Sequence, residues 1–225
     1  MPTVNTTKWG YVRVLNQSSH AAARGASSGT ATANPSTDTS PAFAYQAVSS
    51  GRGTTYSIWR AFYYFDTSGI TTTVTAASVN VEGFNSSGGR NILVPSQAFG
   101  SGALVGSDFG KVTFNTNYHS ANTSWNTSSN NVFTLNSTAL SDIQNNSTFV
   151  CAILQKDNDY DDVALGGRGG SFDFGIAYTT TAYLDYTLAA SGPTNVAEVN
   201  GIAVASISTW DSNTWANINA VDGIT

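Results

Sequence analysis

The sequence predicts an all-β fold, a sandwich or a barrel, and three observations carry that prediction. Charged residues make up only 10% of the chain, while there are 21 Gly and abundant Ser, Thr and Asn. Long surface helices usually carry Glu, Lys and Arg, whereas this composition suits strands and turns. Apolar runs of strand length recur roughly ten times between Gly-, Ser- and Asn-rich turns, the spacing of sandwiches and barrels. The densest run is Ser57-Ile58-Trp59-Arg60-Ala61-Phe62-Tyr63-Tyr64-Phe65-Asp66. At 225 residues the chain is long enough for one large β domain, or one domain plus an appendage, with a sizeable core.

The elements follow in order. Residues 9–15 read as a first strand, and residues 18–41 as a long Ser/Ala/Gly/Pro loop that holds His20 and Arg24. Such a loop is longer than compact domains usually tolerate without function or internal order. Residues 43–48 form a second strand, and Gly51-Arg52-Gly53 turns the chain into the central strand at 57–66. Side chains alternate along a strand, so Trp59, Ala61, Tyr63 and Phe65 share one face and Ile58, Arg60, Phe62 and Tyr64 the other. Neither face is polar. The strand is therefore covered on both sides or displays an aromatic patch.

Beyond the turn at Asp66-Thr67-Ser68-Gly69, residues 74–84 alternate, with Ala77, Val79 and Val81 opposite Ser78, Asn80 and Glu82. That is the pattern of a half-buried antiparallel strand. Ile92-Leu93-Val94 lies in a weaker region, residues 109–114 resume a strand pattern, and residues 115–131 are polar around His119 and Trp125. A short strand at 132–135 precedes the one helix expected, which Asn136 or Ser137 can cap and which runs through Leu140 and Ile143 to Asn145-Asn146. A side-chain oxygen at the cap accepts from the free N–H groups of the first turn. Residues 149–154 read as a core strand, 157–170 as a loop, and 171–178 and 183–188 as the last two strands. Ser191-Gly192-Pro193 then marks a boundary, giving a domain at 1–190 and a tail at 191–225.

The tail repeats every 11 residues: Val199-Asn200-Gly201 aligns with Trp210-Asp211-Ser212 and with Val221-Asp222-Gly223, and Ile207 with Ile218. Asn-Gly and Asp-Gly are strong hairpin signals, because both central residues of that turn need positive φ. So short a repeat cannot bury its own apolar faces. Val199, Ile202, Ile207, Trp210, Trp215, Ile218 and Val221 are therefore expected to mediate attachment or oligomerisation.

Composition also excludes function classes. The net charge is −5 and the nine Lys and Arg are scattered singly, so no nucleic-acid partner is expected. No stretch approaches the ~20 apolar residues of a membrane span. Met1-Pro2-Thr3-Val4-Asn5 lacks the basic-then-apolar pattern of a secretory signal, so synthesis in the cytoplasm is expected. The one cysteine, Cys151, lies in an apolar run and reads as a small buried hydrophobe rather than a reactive thiol.

Two candidate sites stand out. Asp157, Asp159, Asp161 and Asp162 form a dense acidic cluster whose alternate oxygens suit Ca²⁺, although Asp162 and Arg168 stand where an EF-hand has its glycine and bidentate Glu. Trp125, Tyr118, and Tyr64 with Arg60 are candidate platforms for a glycan, whose rings present apolar C–H faces; the alternative is that these aromatics pack in the core. His20 and His119 fall far apart, no nucleophile-elbow pattern is present, and no catalytic set is expected.

Several segments together resemble the core of DNRLRE-type β-sandwich domains, which are similar to carbohydrate-binding modules. They are residues 60–70, Ala76-Ala77-Ser78-Val79-Asn80-Val81, Phe133-Thr134-Leu135-Asn136 with Leu140 and Ile143, Asp157-Asn158-Asp159-Tyr160, and Ala182-Tyr183-Leu184-Asp185-Tyr186. The tail is similar to the hydrophobic-Asn-Gly repeats that end many tailed-phage structural proteins. The resemblance implies a jelly-roll-like β-sandwich with a C-terminal β-hairpin repeat appendage, in a non-enzymatic virion protein associated with capsid or tail. It implies other virion proteins and homo-oligomeric copies as partners, and release by lysis. The alternative is a carbohydrate-binding adhesin that recognises host surface glycans.

Overall fold

The computed structural model describes residues 1–33, 42–50, 54–83, 90–122, 125–164 and 171–189, together with 198–199, 202–203, 209–210 and 213–214. The chain divides into two compact units, Met1–Thr187 and Leu188–Thr225.

The first unit is an all-β sandwich. Its strands are β1 (Thr3–Asn5), β2 (Lys8–Gln17), β3 (Thr30–Ala33), β4 (Ala42–Ser50), β5 (Thr54–Asp66), β6 (Val74–Gly83), β7 (Asn91–Pro95), β8 (His119–Asn122), β9 (Asn130–Thr134), β10 (Thr148–Gln155) and β11 (Ser171–Leu188). Two short α-helices, α1 (His20–Arg24) and α2 (Ser137–Asn145), accompany them, with a 3-10 turn at Gly106–Gly110 and a π turn at Lys156–Tyr160.

The unit is built around β5. Along one edge β2 pairs antiparallel from Lys8↔Tyr64 to Gln17↔Tyr56, with a bulge between Val14 and Gln17. Two strands share the other edge: β4 pairs with residues 54–59 and β10 with residues 61–66. Pairing extends from β10 to β7 and β8, and from β2 to β3. It passes through β4 to β11, which is flanked in turn by β6 and β1, and β9 closes the far side of β6.

Both faces of β5 are covered. Ala61, Tyr63 and Phe65 join Ala77, Val79 and Val81 of β6, Phe133 of β9, Cys151 and Ile153 of β10, and Ala182 and Leu184 of β11 in the main core. Ile58 and Phe62 join a second core made by Val12, Val14, Ala152 and Leu154 with loop residues Phe99, Leu104 and Phe109 and with Ala23 of α1. The polar-free pattern at 57–66 thus reflects a strand buried on two sides. Trp59 is only half-buried. At Gly10 a Cβ would lie 2.2 Å from the Thr32 carbonyl oxygen, so the missing side chain is what lets β3 close on β2.

Helix α2 begins where the cap residue places it. The Asn136 side chain accepts from the Ala139 N–H at 3.1 Å, and Ala139 and Ile143, four residues apart, are buried in the main core.

Several expectations are corrected. The long loop at 18–41 contains α1, a second helix, capped by Ser19, whose hydroxyl accepts from Ala22 N–H at 3.1 Å, and it also contains β3. Residues 109–114 do not form a strand. The buried Asp108 carboxylate accepts from the N–H groups of Phe99 (3.3 Å) and Val105 (3.0 Å) and pairs with Lys111 at 3.0 Å, which folds this stretch into a loop with one bridge, Ser96↔Val112. The two final strands are one, because β11 runs through a bulge between Phe174 and Ala177 rather than turning. Asn80 is buried, its amide donating to Ser78 and Asp185, instead of facing solvent.

The second unit contains two hairpins, β12 (Glu198–Val199) with β13 (Ile202–Ala203) and β14 (Thr209–Trp210) with β15 (Asn213–Thr214). Each strand of the second hairpin stands 11 residues after its counterpart in the first, Glu198 to Thr209 and Ile202 to Asn213. The sequence period is a hairpin period. Among the described residues no helix is long and apolar enough to cross a membrane.

Candidate functional site

Arg60 projects from β5 into the second core and is fully buried. Its Nε and Nη2 donate to the two oxygens of Asp159 at 2.8 and 2.7 Å, its Nη1 to the Phe109 carbonyl at 2.7 Å, and its Nη2 to the Arg24 carbonyl at 3.0 Å. The guanidinium also lies 3.9 Å from the Phe109 ring centroid and 5.0 Å from that of Phe114, whose ring Arg24 covers at 3.9 Å. A buried charge is tolerated only when it is paired and its hydrogen bonds are made, and a planar fork on a carboxylate meets that condition. One side chain thus pins α1, the 3-10 turn and the π turn to the same face of β5.

The sequence supports this arrangement locally. Gln155 ends β10, and its side-chain oxygen accepts from the N–H groups of Asn158 and of Asp159, the latter at 3.2 Å, which starts the π turn and aims Asp159 inward. Asn158 donates to the Val163 carbonyl at 2.8 Å and closes the loop. Asp162 adopts a left-handed backbone (φ 58°), a conformation that Asp tolerates better than most residues.

The four aspartates of the acidic cluster are not brought together. Asp157 accepts from Arg90 Nε (2.6 Å) and Arg90 N–H (2.9 Å), Asp159 is held by Arg60, Asp161 pairs with Lys156, and Asp162 lies 3.4 Å from Arg24 and 3.5 Å from His20. Each carboxylate has its own cation. Among the described residues no group of three or more His, Cys, Asp or Glu is placed to hold a metal ion.

The glycan candidates separate as well. Arg60 has no solvent-exposed surface and cannot touch a ligand from solution, which corrects its assignment to a sugar platform. Tyr64 is half-buried, in an edge contact with Phe99 at 5.9 Å and with Lys8 Nζ over its ring, 4.5 Å from the centroid. Trp125 packs against the main core, 6.4 Å from Phe133. His20 is buried in α1, and burial lowers its pKa, against the opposing charge of Asp162. His119 lies on β8, with Nδ1 2.7 Å from the Thr134 carbonyl. Cys151 is buried, and burial pushes its thiol up, as expected of a core hydrophobe. In the tail, Val199, Ile202 and Trp210 sit in the hairpin strands, while Ile207, Trp215, Ile218 and Val221 lie outside the described residues.

Tyr118 is buried in the main core, which corrects its expectation as an exposed platform, and its edge lines a cavity. A cleft of about 410 Å³ is lined by Pro95, Ser96, Gln97, Ala98, Thr113, Tyr118, Asp142, Asn146, Thr148, Phe149 and Val150. The Tyr118 hydroxyl donates to Asp142 Oδ2 at 2.5 Å, and its ring lies 4.9 Å from that of Phe149. Burial first, and the Asp142 carboxylate second, push the phenol up, so it remains the donor and Asp142 the acceptor. Asp142 is the one carboxylate among the lining residues, so the cleft does not present the pair that glycoside hydrolysis uses. Its polar lining comes from four separate segments, and no local sequence signal linked them.

Compared with known proteins, the chain matches no family model and no curated protein.

Proposed function

We propose that this chain is a non-enzymatic structural protein of a tailed-phage virion, a capsid- or tail-associated fibre or decoration protein attached through its C-terminal repeat. The observation that carries this reading is the second unit. Among the described residues two hairpins of two-residue strands recur at an 11-residue interval, matching the 11-residue repeat of the sequence. Isolated two-stranded hairpins are marginal in water and need a surface to pack on. A tail of this kind serves best as the part that docks on other virion proteins or on copies of itself, with the sandwich presented outward.

The resemblance of the tail to the repeats of phage structural proteins supports the virion setting, and with it synthesis in the host cytoplasm and release by lysis. The buried Arg60–Asp159 network supports a framework role for the sandwich, since its charged groups are used internally.

The test is truncation after Ser191. The shortened chain is expected to keep its β-sheet circular dichroism and cooperative melting yet to be missing from purified particles. Particles that incorporate it at the normal level would overturn the proposal.

A further inference from the structure

We infer that the cleft beside Tyr118 is a binding subsite for a neutral saccharide ring. Its volume, about 410 Å³, falls within the roughly 300–1,000 Å³ of small-ligand pockets. Its chemistry is that of a polyol site: a fixed acceptor, amide and hydroxyl groups, and a small apolar surface.

The acceptor is Asp142. Tyr118 occupies its Oδ2, and among the described residues no donor is placed on Oδ1. A sugar hydroxyl donating there would make a charge-assisted bond, the stronger kind. Gln97, Thr113 and Thr148 line the same space, and their side chains make no hydrogen bond to a described residue. An amide and two hydroxyls that both donate and accept suit the mixed demands of adjacent ring hydroxyls. Pro95 and Val150, both half-buried in the lining, supply a small apolar surface for C–H groups.

The same lining argues against other ligands. It contains one carboxylate and no Lys, Arg or His, so it repels phosphate, sulfate and uronic acids. A single carboxylate makes a poor calcium site, since calcium takes six to eight oxygen ligands and its affinity rises with their charge. Every lining residue belongs to the first unit, so the subsite and the attachment role stand or fall separately.

The experiment uses the full chain and titrates it by calorimetry with neutral trisaccharides of glucose, galactose, mannose and N-acetylglucosamine, each to about 10 mM, and with trigalacturonate as the anionic control. At least one neutral trisaccharide is expected to bind. Its affinity should fall at least about tenfold in Asp142→Asn, which keeps the shape of the site, and measurably in Gln97→Ala, whose side chain is exposed. Melting curves confirm that each variant is folded, and Gln97→Ala decides the matter if Asp142→Asn is not. Absence of binding by every neutral sugar, binding that survives both substitutions, or preference for trigalacturonate would each overturn the inference.

Discussion

Arg60 and Asp159, 99 residues apart in sequence, meet through two parallel hydrogen bonds of 2.8 and 2.7 Å with both side chains out of solvent. Removing one partner leaves the other charge buried and unpaired, which costs about 3–5 kcal/mol. Asp159→Asn and Arg60→Met are each expected to lower stability by that amount in urea unfolding. The double variant Arg60→Met/Asp159→Leu should cost less than the sum of the two, because it leaves no orphaned charge. Single losses below about 1 kcal/mol would show that the pair does not hold the loops as described.

His20 links stability to pH. Burial lowers its pKa from the ordinary 6.5, outweighing the charges of Asp162 and Asp159, while Arg24 adds to the lowering. The unfolded chain therefore binds a proton in a window where the folded chain does not, and stability rises with pH there. The contribution is fully present above about 6.5 and declines as pH falls from there toward the folded-state value. Melting temperatures between pH 8 and 5 should fall more steeply for the natural chain than for His20→Gln. Parallel slopes would remove His20 from the account.

Calcium is expected to leave the melting temperature unchanged. The Asp157, Asp159, Asp161 and Asp162 carboxylates are each engaged by a different cationic side chain, so an entering ion would have to displace Arg90, Arg60, Lys156 or Arg24. A ligand that bound only the folded state would raise the melting temperature. An upward shift at millimolar Ca²⁺, absent with Mg²⁺, would reveal a calcium site that these pairings do not show.

What could be read from the sequence was what depends on near neighbours. Alternation placed Ala77, Val79 and Val81 in the core, and the cap at Asn136 placed α2. The two-faced character of residues 57–66 was equally plain, but which of its two explanations applied depended on a partner far along the chain. Arg60 looked like a sugar contact because its neighbours are aromatic, and nothing nearby reveals that Asp159 waits to receive it. The acidic cluster looked like a metal loop for the same reason, since its cations come from residues 20–24, 60, 90 and 156. Tyr118 looked like an exposed aromatic but is buried in the main core, and its companion Asp142 lay hidden on the polar side of a helix. The fold of residues 96–111 around Asp108 was missed because a buried carboxylate that collects backbone N–H groups has no periodicity to detect.

The pairing of β1 with β11 sets a timetable for the newborn chain. Thr3 lies opposite Asp185 and its hydroxyl donates to that carboxylate at 2.7 Å, so the first strand cannot find its place until nearly the whole sandwich has been translated. At ordinary rates of synthesis that delay is roughly 10–40 s, during which the leading segment waits without its partner strand. β2 and β5, by contrast, can pair as soon as residue 64 has emerged. The ribosome should therefore release a chain whose central strands are already assembled and whose seam closes last.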